Sequence, residues 1–168
     1  ETVFYDTYNH WARQNINALY REGIVGGEEY DGRIRFAPDR TLSRAEFAVI
    51  ISRSLGYDIS KYTTAPEFHD VDDIPQWASA YVCAVSENKV MNGKSMPDGT
   101  LCFDPAGKIS RQEIMQVIGN ILKQKESEAL VETISEEQED QELSEVNIEV
   151  IETVVEQLIE APSPAFTD

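Results

Sequence analysis

The chain contains one pattern of residues twice, and this internal repeat constrains its fold more than any other feature of the sequence. Each copy begins with Phe-x-Asp, continues through a tryptophan, a glycine turn and Phe-x-Pro, and ends with Ser-Arg-x-Glu. The offset between the copies is 66 residues at the tryptophans (77 − 11) and 67 at the arginines (111 − 44), so one inserted loop residue accounts for the difference. The matched positions are Phe4/Phe68, Asp6/Asp70, Trp11/Trp77, Gly27/Gly93, Phe36/Phe103, Pro38/Pro105, Ser43/Ser110, Arg44/Arg111 and Glu46/Glu113. Such a repeat predicts two copies of one supersecondary unit that bury a shared core.

Each copy is predicted to be a helix, a long structured loop and a second helix, which makes the chain mainly all-α. The first helix is predicted from apolar residues at helical spacing. The second begins at a Ser-x-x-Glu capping box, in which the serine and glutamate side chains satisfy free backbone N–H groups. The first helices carry Trp11, Ala12, Ile16 and Leu19, then Trp77, Ala78, Val82 and Val85; the second carry Ser43, Glu46, Phe47, Ile50, Ile51 and Leu55, then Ser110, Glu113, Ile114, Val117, Ile118, Ile121 and Leu122.

The turn after the first helix differs between the copies. Gly23 stands where a residue with positive φ would end the first helix of repeat 1. Lys89 occupies the matched position in repeat 2, so that helix is expected to end differently, through Asn88. In the loops that follow, Phe36 and Phe103 are large apolar residues among polar neighbours, and both are predicted to fill the core.

The sequence divides into four segments: repeat 1 at residues 1–57, a connector at 58–67, repeat 2 at 68–123 and an acidic tail at 124–168. The connector is polar and too short to separate two independent domains, so the repeats are expected to pack as one body. The sequence begins directly in repeat 1 without a secretion signal, and we therefore expect a mature or excised piece of a longer protein.

The net charge of −17 is concentrated in the tail. Residues 1–123 hold 17 acidic and 13 basic side chains (−4), whereas residues 124–168 hold 14 acidic side chains and one basic (−13). Nucleic-acid binding depends on Lys and Arg side chains that neutralise phosphates, so this balance argues against a nucleic-acid partner. No apolar run reaches the ~18 residues that a membrane span needs.

The tail itself has two parts. Residues 124–142 are rich in Glu and Gln and are predicted to be solvated or disordered. Residues 143–160 carry apolar side chains at three- and four-residue steps, which predicts an amphipathic helix with an acidic opposite face. Because its like charges repel, this helix needs a partner. The sequence leaves three alternatives: it docks on the bundle where a third repeat would sit, pairs with another chain, or links to a further domain.

The cysteines and histidines lie outside the repeated pattern. Cys83 and Cys102 show no spacing typical of a metal site and are expected to be small, semi-buried apolar residues, with a disulfide local to repeat 2 as the alternative. His10 and His69 are predicted turn residues, and the acidic run at 70–73 lacks the spacing of a calcium loop. With no nucleophile and base in a catalytic arrangement, no enzyme, metal ion or cofactor is predicted.

The ordered set of motifs resembles the S-layer homology (SLH) domain family. The residues that carry the resemblance are Trp11, the turn Gly23-Ile24-Val25-Gly26-Gly27, Phe36-Ala37-Pro38 and Thr41-Leu42-Ser43-Arg44-Ala45-Glu46-Phe47, whose Ser-Arg-Ala-Glu is close to the family's T-R-A-E-type motif. Residues 68–122 resemble a second, more divergent copy, with Lys89 for glycine and Gln112 for alanine. The resemblance covers roughly residues 4–123.

What the resemblance implies is a pseudo-threefold helical bundle that anchors bacterial surface proteins non-covalently. The family binds secondary cell-wall polysaccharide and favours a terminal pyruvate-ketal N-acetylmannosamine, held in grooves between repeats. Its members usually carry three repeats, whereas two are visible here. The implied location is extracellular, at the cell wall or S-layer of a bacterium.

The residue that grips the ketal carboxylate in the family maps to Arg44 in repeat 1 and Arg111 in repeat 2. An arginine in the first turn of a capped helix adds a bidentate donor to the free N–H groups there, which suits an anion. The backbone donors that would complete the contact belong to Gly26, Gly27, Asn92 and Gly93.

Two questions stay open between alternatives. Trp11 and Trp77 either present a flat apolar face to a sugar ring or fill the core. The chain as a whole is either an anchor that binds wall polysaccharide, or a structural or protein-interaction module whose sugar site has decayed and whose acidic tail binds the partner. Binding of pyruvylated polymer distinguishes the two.

Overall fold

A computed structural model describes residues 3–130, and these contain four α-helices and two short β-hairpins. The helices are α1 (Arg13–Arg21), α2 (Arg44–Ser54), α3 (Gln76–Glu87) and α4, which covers residues 111–130; the strands are β1 (Glu28–Tyr30), β2 (Arg33–Arg35), β3 (Lys94–Ser95) and β4 (Leu101–Cys102). Short 3₁₀ helices occupy Tyr5–Thr7, Ile59–Lys61 and Val71–Asp73. The mainly helical fold that the repeat predicts is confirmed, and the pseudo-threefold arrangement stays a prediction.

The chain divides into two compact units, Glu1–Ile121 and Leu122–Asp168. The first unit contains repeat 1 and repeat 2 as far as Ile121. The amphipathic helix predicted at 143–160 lies outside the described residues. Within residues 3–130, no helix is both long and apolar enough to cross a membrane.

Each loop between the helices of a repeat contains a hairpin, which the sequence predicts only as a structured loop. In repeat 1, β1 pairs antiparallel with β2, and Glu28 lies opposite Arg35. At its tip Asp31 and Gly32 both have positive φ, 51° and 72°, as a two-residue type I′ turn requires. In repeat 2, β3 and β4 form a shorter version of the same hairpin.

The Phe-x-Asp motif fixes the loop of its own repeat. The buried Phe4 ring lies 5.3 Å from the Phe36 ring, centroid to centroid. The Asp6 carboxylate accepts hydrogen bonds from the backbone N–H groups of Phe36 (2.9 Å) and Ala37 (2.7 Å). Ala37 has a φ of 56°, in the left-handed region that few non-glycine residues adopt, so these bonds hold a tight turn. Asp70 makes the same pair of bonds in repeat 2.

Both predicted capping boxes are present. The Ser43 hydroxyl accepts from the N–H of Glu46 (3.2 Å), and the Glu46 carboxylate accepts from the N–H of Ser43 (2.8 Å). Ser110 and Glu113 repeat the arrangement at 3.3 and 2.7 Å. The start of each second helix is therefore fixed by residues of the repeated motif.

The two first helices end in the same way, which corrects the prediction for repeat 2. Gly23 has the predicted positive φ of 70°, and Lys89 takes the same left-handed conformation, with a φ of 54°. The Asn88 side chain adds a hydrogen bond to the carbonyl of Ala84 (2.8 Å) but does not replace the turn. Lys89 is exposed, so its side chain meets no packing obstacle and only the backbone strain opposes the conformation.

One apolar core joins the two repeats, with α2 of repeat 1 packed against α3 of repeat 2. Its buried members are Ala45, Phe47, Ala48, Phe68, Ile74, Ala78, Val82, Val85, Val90, Met91, Phe103 and Val117. Phe103 fills this core as predicted, whereas Phe36 is half-buried. Cys83 is buried, Cys102 is half-buried, and both thiols are free, so the local disulfide is not formed.

Ile118 and Leu122 are exposed, so the prediction that the second helix of repeat 2 buries them in the core is wrong; Leu19, on the apolar face of the first helix of repeat 1, is exposed as well. Apolar periodicity marks a helix face without showing what covers it. Residues 125–130 are exposed, which agrees with the solvated alternative for this segment, and residues 124–130 are helical rather than disordered. Their Gln, Lys, Glu, Ala and Leu side chains favour helix, and this local preference explains the continuation.

Candidate functional site

Arg44 lies buried where the two repeats meet. Its side chain leaves the first turn of α2 and enters repeat 2, where Nε donates to the carbonyl of Phe103 (2.7 Å) and Nη2 to that of Asn92 (2.9 Å). Nη1 forms a hydrogen-bonded ion pair with Glu113, and the guanidinium carbon lies 5.0 Å from the centroid of the Phe103 ring. The residue is 3% exposed, and each guanidinium nitrogen has a partner. Arg44 therefore fixes one repeat against the other.

The backbone N–H groups at the start of α2 are also taken up by repeat 2. The N–H of Arg44 donates to the carbonyl of Gly107 (2.8 Å), and that of Ala45 donates to Pro105 (3.0 Å). A helix start normally leaves such groups free for an anion. Here the neighbouring loop satisfies them, so the expected anion-binding helix start serves as a repeat–repeat contact.

The carboxylate that receives Arg44 is strongly biased towards its charged form. Partial burial by itself raises the pKa of Glu113, but the hydrogen bonds from Ser110 and the positive charges of Arg44 and Lys94 outweigh it and lower the pKa to about 2. Lys94 also bonds Asp104, with Nζ 2.7 Å from Oδ2, and lies 3.3 Å from Glu113. The junction thus contains a cluster of two cations and two carboxylates.

Arg111, the counterpart of Arg44, has no such environment. It is exposed at the start of α4, and among residues 3–130 no hydrogen bond or ion pair involves its side chain. Arg44 and Arg111 are therefore not equivalent in the structure, although they occupy the same position of the same motif.

A groove between the repeats, called the first groove here, has a volume of about 260 Å³. Repeat 1 supplies an apolar wall and two arginines, Arg40 and Arg53, while repeat 2 supplies Trp77. Trp77 is 57% exposed, so the structure rules out the core interpretation for this residue. The complete lining is Ile24, Val25, Gly26, Phe36, Ala37, Pro38, Arg40, Leu42, Glu46, Val49, Ile50, Arg53 and Trp77.

The two arginines of the first groove differ in their charge environment. Arg40 holds Glu46 through two hydrogen bonds, at 2.8 and 3.1 Å, and lies 3.9 Å from Glu28. Burial raises the pKa of Glu46, but the hydrogen bonds from Arg40 and Ser43 and the charge of Arg40 lower it overall. Arg53 bonds only neutral groups, the Tyr81 hydroxyl (3.3 Å) and the carbonyl of Gly23 (3.3 Å). Among the described residues its positive charge has no acidic partner.

The two predicted glycine donors of repeat 1, Gly26 and Gly27, line a cavity that adjoins the first groove and has a volume of about 420 Å³. Gly26 faces open space, since a Cβ added there would meet no atom within 4 Å. Gly27 is packed, because the same atom would lie 2.6 Å from Ile34 Cγ2 and 2.8 Å from the carbonyl oxygen of Arg35. Gly93 in repeat 2 is packed in the same way, against Phe68 and Leu101. Two of the predicted donors therefore have a clear packing role.

A second groove, of about 170 Å³, lies on repeat 2 and brings together Arg44, Asn92 and Gly93 of the predicted site. Seven of its lining residues are the repeat counterparts of residues in the first groove. The pairs are Ile24/Val90, Val25/Met91, Gly26/Asn92, Glu46/Glu113, Val49/Gln116, Ile50/Val117 and Arg53/Asn120. The two cavities are thus the same groove in successive repeats; the first has Trp77 from the next repeat, and the second has Arg44 from the preceding one.

The remaining predicted residues lie outside both grooves. Trp11 is 88% exposed, so the core interpretation is wrong for it as well, and it lines neither groove. The site residues Arg40, Arg53 and Lys94 are absent from the predictions, because none of them belongs to the repeated pattern. The signal that identifies them is the opposite one, a charge present in one repeat and absent from the other.

Comparison with known proteins agrees with this architecture. The family model for the S-layer homology domain matches residues 3–48 and 67–115, one match in each repeat. Cell surface glycoprotein 1 of Acetivibrio thermocellus is 32% identical in an alignment of 123 residues that covers 68% of this chain. The chain spans 5% of the length of that relative.

These matches cover both repeats in order and more than half of the chain. S-layer homology domains are binding and anchoring modules of the bacterial cell surface, and their place is extracellular, at the cell wall or S-layer. The chain belongs to the S-layer homology domain family, as two tandem repeats of this anchoring module.

Proposed function

We propose that the chain anchors a surface protein to the cell wall by binding secondary cell-wall polysaccharide with a carboxylate-bearing sugar, such as a pyruvate ketal, in the inter-repeat grooves. The observation that carries the proposal is the first groove, which is lined by an exposed tryptophan and two surface arginines. Family membership supports the anchoring role.

The first groove offers the two interactions that an acidic sugar needs. The Trp77 indole provides an apolar face on which the C–H side of a sugar ring stacks. Arg53 provides a guanidinium whose charge is not offset by an acid among residues 3–130, and a guanidinium binds a carboxylate bidentately. Arg40 is less available, since Glu46 already occupies two of its donors. We therefore assign carboxylate binding to Arg53 in the first place.

The second groove is a weaker subsite for the same ligand in this proposal. It holds the predicted contacts of Arg44, Asn92 and Gly93, with Lys94 as the cation nearer to solvent. Arg44 acts there mainly by supporting the carbonyl of Asn92, and so by positioning the turn. Direct ligand contacts of Arg44 and Arg111 stay predictions.

The test is binding of the full chain to purified wall polymer, in native form and after removal of the pyruvate by mild acid. We expect binding to the native polymer and loss of most of it after depyruvylation. Replacement Arg53→Gln should weaken binding roughly tenfold, since a charged hydrogen-bond donor is lost. Arg21→Gln, at an exposed position outside the grooves, is the matched control and should bind like the parent.

Two outcomes would contradict the proposal. Equal binding to both polymers would show that the chain does not recognise the carboxylate. Absence of binding to either polymer would show that the chain does not anchor through this polysaccharide, and it would favour a structural or protein-interaction module.

A further inference from the structure

The junction inside the chain has a donating face and a receiving face. Repeat 1 donates the start of α2, whose Arg44 enters repeat 2 and whose Ala48 is completely buried there. Repeat 2 receives Arg44 with the carbonyls of Asn92 and Phe103 and the carboxylate of Glu113. In return, the Trp77 side chain of repeat 2 completes the groove of repeat 1.

A second donating face of the same kind is present on repeat 2. α4 starts with the same capping box as α2, and it presents the exposed Arg111 at the position of Arg44. Met115 occupies the position of Ala48 and is 56% exposed, whereas Ala48 is fully buried. The face that joins α2 to a neighbour is therefore uncovered on α4 among the described residues.

A second receiving face is present on repeat 1. The counterparts of the three groups that hold Arg44 are the carbonyls of Gly26 and Phe36 and the carboxylate of Glu46, and all three residues line the cavity of about 420 Å³. Trp11, the counterpart of Trp77, is nearly fully exposed and lines neither the first nor the second groove. Repeat 1 thus carries both parts of the receiving face, and among residues 3–130 no donating face is packed against it.

The charges of this receiving face suit a further arginine. Arg40 holds Glu46 here, at the position where repeat 2 has Gly107, and its side chain is half-exposed. Glu28 lies 3.9 Å from Arg40, and it also pairs with Arg35. An incoming guanidinium can take Glu46 while Arg40 moves towards Glu28, so that neither carboxylate is left without a cation.

We propose that a second copy of this chain binds head to tail through these two faces: Arg111 of one copy enters the Glu46 site of its neighbour, whose Trp11 then completes the second groove of the first copy. The interface joins two different surfaces, so it is heterologous and can extend to further copies. The proposed interface depends on two exposed residues, Arg111 on the donating face and Trp11 on the receiving face.

The test is sedimentation equilibrium of the full chain over a range of concentrations, without polysaccharide, so that the result does not depend on the proposed function. We expect concentration-dependent association, weakened about tenfold or more by Arg111→Ala or by Trp11→Ala. Both residues are exposed, so neither change affects folding. Arg21→Ala, at an exposed position outside both faces, is the matched control for loss of an arginine, and it should associate like the parent.

Mixing the two variants gives the sharpest result. Each variant alone lacks one component of every junction, whereas a mixed pair can form one junction with Arg111 from the Trp11→Ala chain and Trp11 from the Arg111→Ala chain. Association is therefore expected to return in the mixture. A parent that stays monomeric at all concentrations, or an association that neither variant weakens, would overturn the proposal; the second result would locate the interface elsewhere, such as the acidic tail.

Discussion

Arg44 and Arg111 occupy the same position of the same motif, follow the same serine and precede the same glutamate, yet one is buried and the other is exposed. The difference comes from what lies next to each repeat. Arg44 has the loop of repeat 2 in front of it, which supplies two carbonyls and Glu113. A motif therefore determines the start of its own helix, while its role in the molecule depends on the neighbouring repeat.

The largest expected difference between the two arginines is in stability. Arg44→Ala leaves Glu113 partly buried without its main cation, and breaking a buried ion pair costs about 3–5 kcal/mol in the free energy of unfolding. Arg111→Ala changes an exposed side chain and should stay within about 0.5 kcal/mol of the parent. Urea denaturation of both variants measures the difference. Similar losses in the two variants would show that Arg44 is not the structural residue described here.

Substitutions in the glycine turns of the two repeats should also differ in their effect on stability. Gly93→Ala forces a Cβ to within 2.8 Å of Leu101 Cγ, so we expect a loss of roughly 1–3 kcal/mol in stability from overpacking. Gly26→Ala meets open space and should leave the melting temperature nearly unchanged. Thermal unfolding followed by circular dichroism tests both. A stable Gly93→Ala variant would argue against the tight packing of the turn.

Acid should reveal the ion cluster at Glu113. The pKa of Glu113 is lowered from 4.5 to about 2 in the folded state. The ionised carboxylate therefore stabilises the fold fully at pH values above 4.5, and this stabilisation is lost as the pH falls through about 2. We expect a loss of roughly 2 kcal/mol across this interval, after allowance for screening at a partly exposed carboxylate. Glu113→Gln should flatten this part of the stability–pH profile. A variant with the parent's profile would contradict the assignment.

The smallest predicted effects concern the two helix ends and have opposite signs. Lys89→Gly relieves a left-handed lysine and should stabilise the chain by about 1 kcal/mol, whereas Gly23→Ala introduces the same strain and should destabilise it by about as much. Denaturant midpoints of the two variants measure both. Effects of the same sign would mean that packing, rather than backbone strain, decides these positions.

The features that follow from local chemistry could be predicted from the sequence. The capping boxes at Ser43 and Ser110 and the positive φ of Gly23 depend on a few adjacent residues, and the structure confirms them. The prediction for Lys89 is wrong because the hydrogen bonds of the turn require a positive φ whichever residue is present. Local patterns carry this information because the forces act within one turn of helix.

The features that depend on contacts between the repeats could not be predicted. Nothing in the motif shows that the guanidinium of Arg44 meets Glu113, 69 residues away in the sequence. The exposure of Trp11 and Trp77 depends on how the repeats pack, and the composition of the groove depends on Arg53, which repeat 2 lacks. Spacing in the sequence identifies a helix face, whereas tertiary contacts decide what that face meets.

The central proposal is that the groove at Trp77 recognises the ligand, whereas Arg44 has a structural role. Calorimetric titration of pyruvylated wall polymer into the Trp77→Ala variant tests this most directly, with Trp77→Phe and the exposed Tyr8→Ala as controls. We predict binding about tenfold weaker for Trp77→Ala, near-parental binding for both controls and an unchanged melting temperature for Trp77→Ala. Parental affinity of the folded Trp77→Ala variant would contradict the account.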